Sequence, residues 1–456
     1  MAKQLVFDVV VIGSGSAGFS AVEAATQQGA KVCLIEKGKL GGECPNDACI
    51  PSKALLRAAA VYRTLGSVRE FGIDASGRSF DWEKIQAYRK RIVTSITGGE
   101  EGERYLQILK RLKVTLKKGE ARFVDTHTLE VNDEKVEGKA VVIATGTVDF
   151  IPPIDGLRDV RFWGWKEALM ASRQPKSIAL IGGGPVACEI ATLYASFGTR
   201  VVILQSASTI LNREDEEISQ RAQGALEALG VEVVVSAQVL SCVNGGMGAM
   251  GLKVKVGKEE HVFAVESVVV ATGKRPNVAH LGMERVGLAL TGSASIFAAG
   301  DVDGGLMFTH TAHHEGWIAG YNAARVALKK KGLLKRDERV VPRVTFIEPE
   351  VASVGMTQAE VKKKFGNALV GRYETGWLGR AVTDHAGNGL VKLVAHPKTR
   401  KLLGAHAISP HAGEIIHEAA LAIYVGVTID KLAQMIHAFP TYAEGLKAAA
   451  GSAQIE

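Results

Sequence analysis

Short apolar runs, each closed by a glycine turn, set the rhythm of the first two thirds of the chain. Val9-Val10-Val11-Ile12 is an apolar, β-branched run of the kind that forms a buried strand. It is followed by Gly13-Ser14-Gly15-Ser16-Ala17-Gly18, by a helical pattern through Gln28, and by a second strand over 31–35 that ends at Glu36. Strand, turn, helix and strand in that order make a βαβ unit. The order repeats about 170 residues later. There the strand is 177–181, the turn is Gly182-Gly183-Gly184, the helix runs through Phe197 and the strand covers 200–204. Two more apolar runs end alike, in Ala144-Thr145-Gly146 and Ala271-Thr272-Gly273, and each closes one unit. A fifth strand over 295–299 leads into Gly300-Asp301.

From about Val340 the texture changes. Residues 344–346, 351–354, 390–395 and 402–407 read as strands of a mixed sheet, and 358–364 and 411–424 as helices. No glycine-rich nucleotide turn accompanies them, so this segment reads as a separate α+β domain.

Composition narrows the class. Hydrophobic residues at 46% and charged residues at 23% give a globular balance. The net charge of +7 suits anionic cofactors, and no nucleic-acid motif accompanies the scattered Lys and Arg. No apolar stretch reaches the roughly 18 residues that span a bilayer. The first strand begins near the N-terminus without a signal-peptide layout, so the expectation is a cytoplasmic protein. Structural disulfides are rare there, and five cysteines ask for redox chemistry or packing.

The first glycine turn has its required context between strand and helix. Gly13 makes the turn, Gly15 lets a pyrophosphate approach the backbone and Gly18 permits close helix–strand packing. The helix N-terminus, opening at Ser16, faces the phosphates with unpaired N–H groups, and Glu36 stands where a carboxylate bonds a ribose diol. The second turn, Gly182-x-Gly184-x-x-Ala187, is the variant ending in Ala. Its strand ends in Gln205, neither a carboxylate for the 2′-hydroxyl of NAD nor an arginine for the 2′-phosphate of NADP. The choice between NADH and NADPH stays open.

Directly after the first unit comes Gly41-Gly42-Glu43-Cys44-Pro45-Asn46-Asp47-Ala48-Cys49-Ile50-Pro51-Ser52-Lys53. Two thiols five residues apart can meet across a distorted helical turn, and Lys53 supplies a cation that favours thiolate. Two buried free thiols or half a metal site are the alternatives; a metal needs more ligands than this segment offers, and no metal site is expected. Cys33, Cys188 and Cys242 lack a partner pattern and read as packing residues.

In this combination the chain resembles the FAD-dependent pyridine nucleotide-disulfide oxidoreductases: dihydrolipoamide dehydrogenase, glutathione reductase and mercuric reductase. The nucleotide turns, the cysteine box, the two Ala-Thr-Gly strands, Gly300-Asp301 and the run Ile347 to Gly355 all fall in family order. The resemblance implies an α/β fold of the glutathione reductase type, with two Rossmann-like domains and a C-terminal α+β dimerisation domain. FAD would be held by 1–148 and 273–338, NAD(P)H by 149–272, and the homodimer interface by 339–456. It implies that Cys44 is the interchange thiol and Cys49 the flavin-proximal thiol. Lys53 is then the lysine beside the flavin, paired with Glu189, and Asp301 bonds the ribitol. Gly42, Thr145, Gly146 and Gly273 line the cofactors. Electrons would pass from NAD(P)H through FAD and the dithiol to a small-molecule or small-protein acceptor, with no nucleic acid and no membrane span involved.

Two departures qualify the expected chemistry. Thiol-using members carry His-x-His-Pro-Thr, with Glu three residues after Thr, and the second His is the acid–base that reaches across the dimer. This chain reads His437-Ala438-Phe439-Pro440-Thr441-Tyr442-Ala443-Glu444. Glu444 keeps its place, but Phe439 stands at the base. Acid–base help is worth about 10²–10⁴-fold, so ordinary dithiol exchange is expected to be slow, against a dihydrolipoamide dehydrogenase. Three readings follow: the substrate needs no base; His437 or Tyr442 substitutes; or a quinone, oxygen or another acceptor takes the electrons. Mercuric reductases resemble the chain here and share Glu444-Gly445-Leu446-Lys447, but they end in a vicinal cysteine pair. This chain ends Ala453-Gln454-Ile455-Glu456, so inefficient Hg(II) handling is expected. A non-catalytic flavoprotein partner would have lost a thiol or a nucleotide turn, and both are intact. The second departure is Pro185-Val186, where several relatives place Tyr or Ile to cover the flavin. It predicts an open nicotinamide side, checked by oxygen-dependent NAD(P)H consumption; equal aerobic and anaerobic rates without added acceptor would refute it.

Overall fold

The computed structural model describes residues 5–245, 249–286, 294–387 and 389–456. The chain divides into two compact units. The first comprises Met1–Ala54, Lys84–Phe150 and Gly273–Asp337; the second comprises Leu55–Glu83, Ile151–Thr272 and Glu338–Glu456.

The first unit is built on a seven-stranded sheet. Thr115–Lys118, Val32–Glu36, Leu5–Ile12 and Glu134–Ile143 run parallel in that order, and Ile296–Ala298 pairs parallel with the end of Glu134–Ile143. The start of the same long strand pairs antiparallel with Thr128–Val131, which pairs with Ala121–Phe123. The run Val9 to Val11 is fully buried, as expected for a parallel strand covered on both faces. The helices Ser16–Gln27 and Thr309–Ala327 pack tightly through two glycines. A Cβ at Gly316 would lie 2.1 Å from the Ala17 carbonyl oxygen, and one at Gly320 would lie 2.1 Å from that of Ala21. Only hydrogen side chains allow this approach, which fixes the start of the second helix relative to the first nucleotide turn.

The second unit holds a four-stranded parallel sheet in the order Val231–Val234, Arg200–Leu204, Ser177–Ile181, Ser267–Val270. Beside it lies an antiparallel meander, Ala237–Asn244, Met250–Val256 and Glu259–Val265. A six-stranded sheet follows in the order Arg343–Thr345, Glu350–Gly355, Leu402–Ser409, Leu390–Ala395, Leu369–Glu374, Gln454–Ile455. It is antiparallel throughout, not mixed. The helix Gln358–Phe365 leads to a strand three positions away in this sheet rather than to a parallel neighbour.

A buried charge network ties the helix Glu216–Ala228 to that sheet. Asp215 caps the helix by accepting from the Glu217 amide at 3.2 Å, and it accepts from Lys392 Nζ at 2.7 Å. Both side chains are only 3% exposed. Burial pushes the Asp215 carboxyl up, but the Lys392 hydrogen bond and the charges of His406 and Lys392 outweigh it, and the group lies below the usual range. Removing one member of such a pair strands a buried charge. Lys392→Met is therefore expected to cost about 3–5 kcal/mol, read as a lower denaturant midpoint.

Candidate active site

The cysteine box is held against the first nucleotide turn by backbone contact. Gly42 has φ +69°, and a Cβ there would meet the Gly15 Cα at 2.6 Å. Asn46 locks the loop, its amide donating to the Leu40 and Gly42 carbonyls at 2.9 and 2.8 Å. Cys44 lies in the one-turn helix Glu43–Asn46, and Cys49 opens the helix Cys49–Ser67. The break at Asp47 and Ala48 supplies the distortion that the five-residue spacing required.

The two thiols hydrogen-bond each other, and this pushes the Cys44 pKa up first. Burial adds to the rise, while a Thr309 hydrogen bond and the Lys53 charge oppose it. Thr309 Oγ1 lies 3.2 Å from Cys49 Sγ, so one hydroxyl serves both sulfurs. Thr309 is the first residue of the helix Thr309–Ala327, where the dipole also favours negative charge. Sequence reasoning missed Thr309. It stands 260 positions from Cys49, with no local signal to join them. Cys33, Cys188 and Cys242 are buried, as packing thiols are; burial pushes Cys33 up to about 12.

The nucleotide cradle of the first unit fits FAD. Gly13 turns at φ +97°, and a Cβ there would strike the Ala144 carbonyl oxygen at 2.3 Å. A Cβ at Gly18 would strike the Gly13 carbonyl oxygen. At Gly15, Gly146 and Gly273, by contrast, a Cβ meets no atom within 4 Å, which leaves room for an extended ligand along the backbone. Glu36 Oε2 accepts from the Ser14 amide and hydroxyl, both at 2.7 Å. Gly300 has φ +77° and its amide donates to Glu315 at 2.6 Å, presenting Asp301. Burial pushes the Asp301 carboxyl up, Lys274 pulls it down and Glu43 raises it again. Lys274 Nζ is 3.0 Å from Glu43 Oε2, an ion pair that anchors the residue next to Cys44. Ser16 Oγ donates to the Thr309 carbonyl at 2.9 Å, and Thr145 Oγ1 to that of Asn277 at 2.8 Å; both brace the cradle.

In the second unit, Gly182 turns at φ +107° and Gly184 precedes the helix Pro185–Ser196. Pro185 and Val186 are exposed at its first turn. Glu189 is nearly buried, and its Oε1 accepts from the Phe346 amide at 3.1 Å. Lys53 belongs to the first unit and Glu189 to the second. Gln205 is buried, its Oε1 accepting from the Gly183 amide at 3.1 Å and its Nε2 donating to the Thr209 carbonyl at 3.2 Å.

Around the missing base, the alternatives are already engaged. Phe439 is 79% exposed. The His437 side chain is 4% exposed; its Nε2 lies 3.0 Å from Glu418 and its Nδ1 3.3 Å from the Met435 carbonyl. Tyr442 is buried and its hydroxyl donates to Asp384 at 3.1 Å. Burial and Asp384 push its phenol up to about 12. Glu444 accepts from the Thr441 amide at 2.9 Å, a local turn brace. Among the described residues no cluster of His, Cys, Asp and Glu could hold a metal, and no helix is long and apolar enough to cross a membrane.

The comparisons agree with this geometry. The pyridine nucleotide-disulphide oxidoreductase profile matches residues 7–316, and the dimerisation domain of the same family matches 341–450. The chain belongs to this family. Mercuric reductase from Staphylococcus aureus is 32% identical over 457 residues, covering 97% of this chain and 82% of the relative. Dihydrolipoyl dehydrogenase from Geobacillus stearothermophilus is 34% identical over 454 residues, covering 96% and 94%. Among solved structures, the Cu(II) complex of the HOCl-induced flavoprotein disulfide reductase RclA from Escherichia coli matches with TM-score 0.84 at 26% identity. That match covers 98% of this chain and 99% of the other. The chain is thus a flavin-dependent oxidoreductase of the glutathione reductase-like fold, using FAD and NAD(P)H.

Proposed function

We propose that this enzyme passes electrons from its Cys44–Cys49 dithiol to a thiol-binding metal ion, with Cu(II) as the reference acceptor. The observation that carries the reading is Phe439 at the acid–base position, with His437 and Tyr442 both committed to carboxylates. Dithiol–disulfide exchange needs a proton at the interchange thiol; a metal ion bound by thiolate needs none. The relative solved as a Cu(II) complex supports the choice of ion.

Bound FAD would supply the two-electron relay between NAD(P)H and the disulfide, and this chain's residues would position it. In the proposed scheme residues 1–148 and 273–338 hold FAD, 149–272 bind NAD(P)H and 339–456 form a homodimer interface. Exposed Leu421, Tyr424, Val425 and Ile436 give that interface apolar surface. Lys53 and Thr309 stabilise thiolate character at the pair. Cys44 then binds the ion. Oxidation of the dithiol to the Cys44–Cys49 disulfide releases two electrons and two protons. Two Cu(II) ions each take one electron, and the protons go to water.

The test is anaerobic turnover with NADH or NADPH, with Cu(I) captured by a chromogenic chelator, beside lipoamide and glutathione disulfide. Copper turnover that is lost in the FAD-loaded Cys44→Ser variant, with both disulfides poor acceptors, is expected. A disulfide reduced as fast as Cu(II), or copper turnover untouched by Cys44→Ser, would overturn the reading.

A further inference from the structure

We propose that Gln205 is a brace for the second glycine turn rather than a ribose ligand, that coenzyme selectivity falls to Ser206, and that the enzyme takes NADH and NADPH with comparable efficiency. The inference rests on the coenzyme use of the family and concerns only the residues of the second unit.

Both nucleotide turns are held by the residue at the end of their second strand. In the first unit Glu36 accepts from the Ser14 amide. In the second, Gln205 Oε1 accepts from the Gly183 amide, the corresponding second residue of its turn. An N–H can only face the amide oxygen, so Gln205 Nε2 points the other way, to the Thr209 carbonyl. Packing reinforces the placement: a Cβ at Gly183 would come within 3.0 Å of the Gln205 Cβ and 2.9 Å of the Ile210 Cγ2. With 8% exposure and both amide atoms in use, Gln205 holds the turn and has little left to offer a ribose.

The next residues are Ser206-Ala207-Ser208, and both serines are exposed. They present hydroxyls and no charge. A carboxylate at such a strand end selects the 2′-hydroxyl, and an arginine nearby selects the 2′-phosphate. A hydroxyl can bond either. Arg200 does not enter, because its guanidinium is held on the Ala264 carbonyl at 2.5 Å.

The test follows flavin bleaching in the holoenzyme by anaerobic stopped flow with NADH and with NADPH. It reads the reductive half alone, so its failure is distinct from failure of the copper proposal. The wild-type efficiencies are expected to agree within about tenfold. Gln205→Ala should raise the apparent Kd of both coenzymes by a similar factor, with the limiting rate, the FAD content and the ratio unchanged. Ser206→Glu should depress NADPH relative to NADH by about tenfold or more, through repulsion of the 2′-phosphate. A wild-type preference beyond about 100-fold, a ratio moved by Gln205→Ala, or a ratio unmoved by Ser206→Glu would overturn the proposal. Should Gln205→Ala fail to fold, the wild-type ratio and Ser206→Glu decide.

Discussion

Replacing Phe439 with histidine raises NAD(P)H-driven lipoamide reduction by about 10²-fold or more and leaves Cu(II) reduction unchanged. The gain is that of restoring a proton donor to a reaction that has the rest of its machinery. The substitution should be structurally cheap, because Phe439 is mostly exposed and exposed positions usually tolerate change within about 0.5 kcal/mol. The turn that carries it is also pinned independently of the ring. Thr441 donates its amide to Glu444 and its hydroxyl to the Ala438 carbonyl. Glu444 thus already lies beside the segment that would carry the imidazole. Steady-state assays of the variant with both acceptors separate the outcomes. If lipoamide turnover does not rise, the missing base is not what limits dithiol exchange. If copper turnover rises with it, proton supply limits both reactions, and Phe439 no longer favours a metal acceptor.

The parts of the molecule that the sequence disclosed are those whose chemistry is local. Gly13 and Gly18 announce a turn because each is required by a neighbour within a few residues or by the closing strand, while Gly15 keeps the backbone between them open to a ligand. Cys44 and Cys49 lie within two helical turns of each other. Phe439 is visible because it interrupts a short motif. What stayed hidden depends on residues that meet across long stretches of chain. Thr309 reaches the cysteine pair from the far end of the first unit. His437 looks like a spare base until Glu418, on a separate helix, is seen to hold it. Gln205 stands at the strand end where a coenzyme contact is expected, and only the structure shows its side chain turned in to the Gly183 amide. Among the strands, Leu369–Glu374 interleaves Gly371 and Arg372 with its apolar residues, and Met250–Val256 alternates Lys253 and Lys255 with Val254 and Val256. Neither shows the solid apolar run that marks the parallel strands.

Replacing Thr309 with valine shifts the thiolate-to-flavin absorption of the two-electron-reduced enzyme to higher pH by about 1–2 units, and replacing Cys49 with serine abolishes it. The hydroxyl of Thr309 lies 3.2 Å from Cys49 Sγ and lowers the Cys44 pKa as well. A hydrogen bond to a charged group contributes about 1.5–3 kcal/mol, and 1.36 kcal/mol is one pKa unit, which sets the expected size. The sign follows from the charge form. Thr309 favours thiolate, so its loss raises the thiol pKa, and the absorbing species then forms only at higher pH. Cys49 is the sulfur that the Thr309 hydroxyl faces directly, at 3.2 Å. Serine at 49 leaves no thiolate there at any pH, and reductive titration should then take up two electrons per FAD where the wild type takes four. A valine variant with an unshifted pH profile would remove Thr309 from the redox centre. A Cys49→Ser variant that still takes up four electrons would remove the dithiol itself.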